Sequence, residues 1–180
     1  MIKDIDFARL YREHLARSGR KAKPASAWDA KAAAMASPGT DSDYAKAFVR
    51  RVKVQAEDTV LDVGCGPGTI GLALAARVKQ VYGLDYSQGM LTAFMQHADT
   101  RGLSNVEPIL TAWDESWAQV PVCDVTVVSR ASIVNDMDSA LTKLHAHTRK
   151  RVYMTHLVGG RFQSGEIADV LGRPDTSFPD

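Results

Sequence analysis

The stretch Leu61-Asp-Val-Gly-Cys-Gly-Pro-Gly-Thr-Ile-Gly71 joins an apolar run, Thr59-Val-Leu-Asp-Val63, to a helical pattern from Thr69 to Val78. A glycine-rich turn between a strand and a helix is the context that a cofactor-binding loop requires. Gly64 and Gly66 permit a tight turn and a close approach of backbone to ligand. Gly68 precedes the helix, whose amino end offers free N–H groups and a partial positive charge. Such an end suits a phosphate of a dinucleotide or the carboxylate of an amino acid. The dinucleotide fingerprint Gly-x-Gly-x-x-Gly would place its third glycine where this chain has Thr69. The glycines fall instead at 64, 66 and 68, with Asp62 two places before the first.

Outward from the loop, strands and helices alternate. Gln80-Val-Tyr-Gly-Leu84 reads as a second strand ending at Asp85, about 20 residues past the glycines, where a carboxylate can accept from ribose hydroxyls. Ser87 can cap a helix with a core face of Met90, Leu91, Phe94, Met95 and Ala98, which Gly102 ends. Val106 to Leu110 and Val122 to Ser129 read as the third and fourth strands. Asn135 or Asp136 can cap a helix ending near His147, and Arg151 to Thr155 reads as a fifth strand. The alternation implies βαβ units and a parallel sheet covered on both faces. Its ligand site then lies at the carboxyl ends of the strands.

Before about residue 56 the pattern is helical. Phe7, Leu10, Tyr11, His14 and Leu15 share a face, and Gly19 is a stop. Arg17, Arg20, Lys21 and Lys23 form a basic cluster that reads as a solvated linker rather than as a contact for an anionic substrate. Pro24 and Ser26 can open a helix over Ala27 to Ala36. Asp41 or Ser42 can cap another, with Tyr44, Ala47, Phe48 and Val52 on one face.

The chain's 180 residues suit one structural domain with a sizeable core. A formal net charge of +1 lacks the basic excess of a dedicated nucleic-acid binder. Cys65 and Cys123 have no Cys or His neighbour at metal-ligand spacing, so no metal site is expected. No apolar run reaches the length of a membrane span. The opening Met1-Ile-Lys-Asp-Ile-Asp carries acidic residues where a signal peptide is apolar, so a cytoplasmic protein with reduced thiols is expected.

The run Leu-Asp-Val-Gly-Cys-Gly-Pro-Gly, the strand ending Gly-Leu-Asp85 and the acidic turn after the third strand resemble class I S-adenosylmethionine (SAM) dependent methyltransferases, across about residues 40 to 156. The resemblance implies an α/β, Rossmann-like, doubly wound and mostly parallel sheet. Helices would cover both faces, with residues 1–55 as a helical cap and 56–180 as the SAM-binding core. It also implies that the Gly64-Cys65-Gly66 backbone and Gly68 cradle the methionine half of SAM. Asp62 would orient that loop and the ammonium group. Asp85, followed by Tyr86, would bind the ribose diol. Ala112-Trp-Asp-Glu115 matches the adenine contact, through Trp113 and Asp114, with Glu115 close behind as the acidic side chain. Ser129 and Arg130, ending the fourth strand, match the position beside the transferable methyl. Nucleobase amino methyltransferases of this fold often carry Asn-Pro-Pro-Tyr or Asp-Pro-Pro-Tyr there; this chain does not, which favours a small-molecule acceptor.

Plainer readings compete at several positions. Trp113 and Trp117 are expected to pack more than to stack on adenine. Cys65 reads as a small loop residue without a base beside it. Arg130 can clamp a substrate or cofactor carboxylate, or pair with Asp136 or Asp138. Tyr11, His14, Trp28 and Tyr44 are candidates to line a lid, whereas Phe7 and Phe48 suit packing. No residue stands out as a general base.

After the fifth strand, the tail from Leu157 to Asp180 has room for one helix, such as Gln163 to Leu171. It lacks room for the antiparallel strand pair that closes the family's sheet. A shortened end is therefore expected. Its edge strand would either mediate a homodimer or be covered by residues 160–171. The expected function is methyl transfer from SAM to a small molecule, leaving S-adenosylhomocysteine (SAH). A module that holds SAM or SAH without transfer is the alternative, and an NAD-dependent oxidoreductase is disfavoured by Thr69.

Overall fold

The computed structural model describes residues 6, 9–10, 12–13, 23–32, 34–35 and 39–156. Helices α1 (Ala25–Ala32) and α2 (Asp43–Arg51) precede β1 (Thr59–Val63). The chain continues through α3 (Gly71–Leu74), a 3-10 turn (Ala75–Arg77), β2 (Gln80–Asp85) and α4 (Gln88–Thr100). It then forms β3 (Val106–Leu110), β4 (Cys123–Val128), α5 (Met137–Ala146) and β5 (Thr148–Met154). The five strands are all parallel, in the order β3-β2-β1-β4-β5. This is the expected doubly wound α/β architecture. The chain winds from β1 outward to β3, then returns to β4 on the other side of β1. The switch point, where connections diverge and leave a crevice, therefore lies between the carboxyl ends of β1 and β4.

Strand alternation divides the core into two layers. Val60, Val81, Val125 and Val127 pack with Phe48 of α2 and Val52 just after it, Leu72 and Leu74 of α3, and Leu91, Phe94 and Ala98 of α4. Leu61, Val63, Leu84, Cys123 and Val128 face the opposite layer, with Leu144 of α5, Trp117 and Val120. Period-two alternation in a strand therefore puts Asp62 on the α3 side, beneath the start of that helix. Phe94, fully buried, lies against β2 where a side chain at Gly83 would come within 2.9 Å of its ring.

The caps follow the sequence signals. Ser42, rather than Asp41, accepts from the Ala45 N–H, and Asp136, rather than Asn135, accepts from the Ser139 N–H. Ser87 accepts from the Met90 N–H, as expected. Helix α3 is shorter than the run from Thr69 to Val78 had suggested. The Asn105 side chain explains this: its Nδ2 donates to the carbonyls of Ala75 (2.8 Å) and Val78 (3.0 Å), satisfying the last turn without further helix.

Strand β5 begins at Thr148, three residues before the expected start. Its Arg149, Lys150 and Arg151 look unlike a strand, yet an edge strand tolerates charge. Lys150 pairs with Asp58 and Asp124 at the amino ends of the sheet, away from the crevice. Val152 and Met154 are exposed on this edge. Residues 160–171, expected to cover it or leave it to a second copy, lie outside the described residues. So do Phe7, Tyr11, His14, Leu15, Gly19 and most of the basic cluster; Leu10, placed on the same helical face, is exposed. Among the described residues, no helix is long and apolar enough to cross a membrane.

Candidate functional site

The glycine loop after β1 occupies the crevice. The Gly64 and Cys65 N–H groups both donate to the Leu84 carbonyl, at 2.7 and 3.0 Å, which ties the loop to the end of β2. Gly64, Gly66 and Gly68 have φ of +69°, +52° and +98°, a region that non-glycine residues rarely enter. At Gly64 the close approach is as strict as the dihedral: an added Cβ would lie 2.3 Å from the Ala131 Cβ. The loop after β4 thus packs directly on the glycine loop.

Asp62, 1% exposed, turns its Oδ2 to the Gly71 N–H at 2.7 Å. It fixes the start of α3, directly after the glycine loop. Burial pushes its carboxyl up to about 7; the Gly71 bond opposes this rise and the charge of Asp85 adds to it. An acid raised above its ordinary value of 3.8 contributes stability only while protonated. Stability from this group is full below pH 3.8 and is lost as pH climbs through about 7. Asp62→Asn, which keeps an acceptor for Gly71, should therefore be more stable than the wild type at pH 8 and no more stable at pH 4. Urea denaturation at the two values checks this; a gain of equal size at both would remove the buried charge as the cause.

Asp85 ends β2, 7% exposed, and is held from both sides. Its Oδ2 accepts from the Gly66 N–H and its Oδ1 from the Ser87 N–H, each at 2.9 Å. Burial raises its carboxyl above the usual range, while the Ser87, Gly66 and Tyr86 N–H groups pull it down. A carboxylate has about four acceptor positions, more than these backbone N–H groups take up. A nearly buried, oriented acceptor pair of this kind fits a ligand diol. Tyr86 is exposed and its hydroxyl donates to the Lys23 carbonyl at 2.9 Å.

The acidic turn lies beside Asp85, whose carbonyl accepts from the Thr111 N–H at 3.1 Å. Glu115 serves the turn itself: its Oε2 accepts from the Ala112 N–H (2.8 Å) and the Thr111 hydroxyl (3.1 Å). Asp114 is exposed and makes no hydrogen bond or ion pair among the described residues. The half-buried Trp113 donates its indole N–H to the Ala131 carbonyl at 3.0 Å, and its ring lies 5.3 Å from that of the buried Trp117. That is the packing expected of both indoles. Cys65 is buried, and burial followed by the charges of Asp62 and Asp85 drives its thiol well above the usual value. A protonated, enclosed thiol is a loop residue, not a nucleophile.

At the end of β4, Ser129 and Arg130 meet α2. The Tyr44 hydroxyl lies 2.8 Å from the Ser129 Oγ and 3.2 Å from the Thr155 Oγ1. The Arg130 guanidinium stacks over the Tyr44 ring, 4.0 Å from its centre, rather than on Asp136 or Asp138. Arg130 also has φ +58°, and its N–H donates to the Thr155 Oγ1 at 3.0 Å. Of the lid candidates, Tyr44 therefore stands beside the crevice; Phe48, expected to pack, is core. Trp28 packs near α4, with Lys23 and Lys31 over its ring.

Neither Asp29 nor Thr155 carries a local signal that marks it for this site. Asp29 reaches Ser87, 58 positions away, and Thr155 reaches Tyr44, 111 positions away. Both contacts arise only when α1 and α2 dock on the core.

The chain matches a family of methyltransferase domains over residues 60–151. An uncharacterised protein of Haemophilus influenzae is 38% identical over 180 residues, covering 99% of this chain and 67% of that protein. The mouse tRNA (uracil-5-)-methyltransferase homolog A is 55% identical over 49 residues, which are 27% of this chain and 8% of that enzyme. This chain thus spans two thirds of the first relative and a small part of the second. Among solved structures, coclaurine N-methyltransferase bound to N-methylheliamine and SAH superposes with a TM-score of 0.55 at 18% identity, covering 83% of this chain and 57% of that one. At that identity the likeness is one of fold.

Proposed function

We propose, on the premise that this chain belongs to the SAM-dependent methyltransferase family, that it transfers a methyl group from SAM to a small-molecule acceptor. One observation carries this reading. The glycine loop and the doubly held Asp85 carboxylate meet at 2.9 Å, at the carboxyl ends of adjacent strands beside the switch point. In this reading Gly64, Cys65, Gly66 and Gly68 cradle the methionine half. Asp62 holds the loop, and Asp85 with Tyr86 takes the ribose. Trp113 and Asp114 border the adenine, and Ser129 and Arg130 border the methyl. Residues 1–55 serve as a cap on the core formed by 56–180.

SAM brings an already activated methyl on its sulfonium, so the protein's part is alignment and exclusion of water. The side chains around the crevice suit that part: Tyr44, Ser129 and Thr155 are tied to one another, and Arg130 is held on the Tyr44 ring. No general base is assigned. The near-neutral net charge of +1 supports a small acceptor over RNA.

Titration calorimetry with SAM, SAH and NAD is the direct test. Binding of the first two and not the third is expected; NAD binding alone would end the methyltransferase reading. A turnover screen should then pair small metabolites with transfer RNA. Methylation of RNA only would move the acceptor class, and cofactor binding without any turnover would favour a binding module.

A further inference from the structure

Asp29, on α1, has no place among the residues proposed to touch the cofactor, yet it is joined to the proposed ribose carboxylate through one residue, Ser87. Its Oδ1 accepts from the Ser87 hydroxyl at 2.6 Å and from the Gly89 N–H at 2.8 Å. These bonds hold its carboxyl below the usual range, Ser87 contributing most. The donor of the Ser87 hydroxyl is thereby committed to Asp29, while its oxygen accepts from the Met90 N–H at 3.1 Å. The N–H of the same Ser87 holds Asp85 Oδ1, and Asp85 Oδ2 holds the Gly66 N–H of the glycine loop. An unbroken chain of bonds thus runs from α1 to the cofactor loop.

Two further features make the contact specific. Gly89 is required for it: an added Cβ there would lie 2.8 Å from the Asp29 Cα and 2.9 Å from its Oδ1. Apolar packing is in register with it, as Ala32 of α1 meets Met90 and Ala93 of α4, with Trp28 and Met35 alongside. A solvated surface carboxylate would need neither a glycine opposite nor a serine dedicated to it.

We infer that Asp29 is a positioning residue that docks α1 on α4 and, through Ser87, fixes Asp85 for the cofactor, so that helix docking and cofactor binding are coupled; this rests on the reading of Asp85 as the ribose acceptor. Coupling of this kind is reciprocal: whatever docking adds to cofactor affinity, the cofactor adds to docking.

The test uses the 180-residue chain and SAH as the probe, with affinity from calorimetry and docking from hydrogen exchange of the α1 amides. Asp29→Ala should weaken SAH about tenfold, the low end for loss of a bond to a charged group acting through a neighbour. Gly89→Ala should do the same with the carboxylate intact, because the helix cannot approach. Asp29→Asn keeps an oxygen for both donors and should bind within about twofold of the wild type. SAH should slow exchange in α1 of the wild type and fail to do so in Asp29→Ala. A wild type that binds SAH, with folded Asp29→Ala and Gly89→Ala proteins binding it equally well, would overturn the coupling and leave the methyltransferase reading intact. An Asn variant as weak as the Ala variant would also overturn it, since the bonds would not be the cause. A wild type that does not bind SAH would overturn the reading of Asp85 and this inference with it.

Discussion

Replacing Gly64 with alanine is expected to cost about 2–5 kcal/mol of stability and to abolish measurable SAH binding. Two terms add. A left-handed φ of +69° costs a side-chain-bearing residue about 1–2 kcal/mol. The new methyl would then stand 2.3 Å from the Ala131 Cβ, and relieving such overpacking costs about 1–3 kcal/mol. The relief has to come from the glycine loop or from the loop after β4, and both border the proposed cofactor. Gly102 supplies the control. It has φ +64° but nothing within 4 Å of an added Cβ, so Gly102→Ala should show only the dihedral cost, about 1–2 kcal/mol, and unchanged SAH binding. Urea denaturation and calorimetry on the two variants separate the terms. Equal losses in both would show that the contact with Ala131 is easily relieved.

Asp85→Ala should weaken SAH by about 1.5–3 kcal/mol, the contribution of hydrogen bonds to a charged group. The loss is compounded here because the Gly66 and Ser87 N–H groups would be left without their acceptor. Asp85→Asn should fall between alanine and wild type. It keeps one carboxyl-type oxygen, but its amide nitrogen must face one of two N–H donors that both need an acceptor. Calorimetry on folded variants decides the matter. Unchanged affinity in Asp85→Ala would exclude the ribose role and leave Asp85 as a clamp between the loop and α4.

The acceptor class is the part of the function that the family leaves open. The mouse relative is named for tRNA (uracil-5-) methylation and the solved neighbour for N-methylation of coclaurine. The features that favour a small acceptor here are a net charge of +1 and a β4 end reading Ser129-Arg130-Ala131 in place of a nucleobase motif.

What the sequence determined by itself was the βαβ order, the place of the glycine loop and the helix starts. Those rest on local signals. Valine-rich runs mark β1 and β4 because strands buried on both faces admit little else. Gly64, Gly66 and Gly68 mark the loop because positive φ and close approach exclude other residues. Ser42, Ser87 and Asp136 mark helix starts because an unsatisfied N–H needs an oxygen within three residues.

What only the tertiary structure decided depends on residues far apart in the chain. Asn105 closed the turn after α3 by taking the carbonyls of Ala75 and Val78, and Lys150, paired with Asp58 and Asp124, allowed β5 to begin inside a run of charge. Arg130 chose the Tyr44 ring over the nearby aspartates because α2 docks across the ends of β4 and β5. Asp29 has no local signature at all, since a carboxylate in the middle of a short helix looks solvated until the helix is placed. Its partners are fixed only when burial of Ala32 against Met90 and Ala93 sets α1 against α4. Local hydrogen bonding is written in neighbouring residues, whereas the partner of a side chain across elements is set by how apolar faces pack.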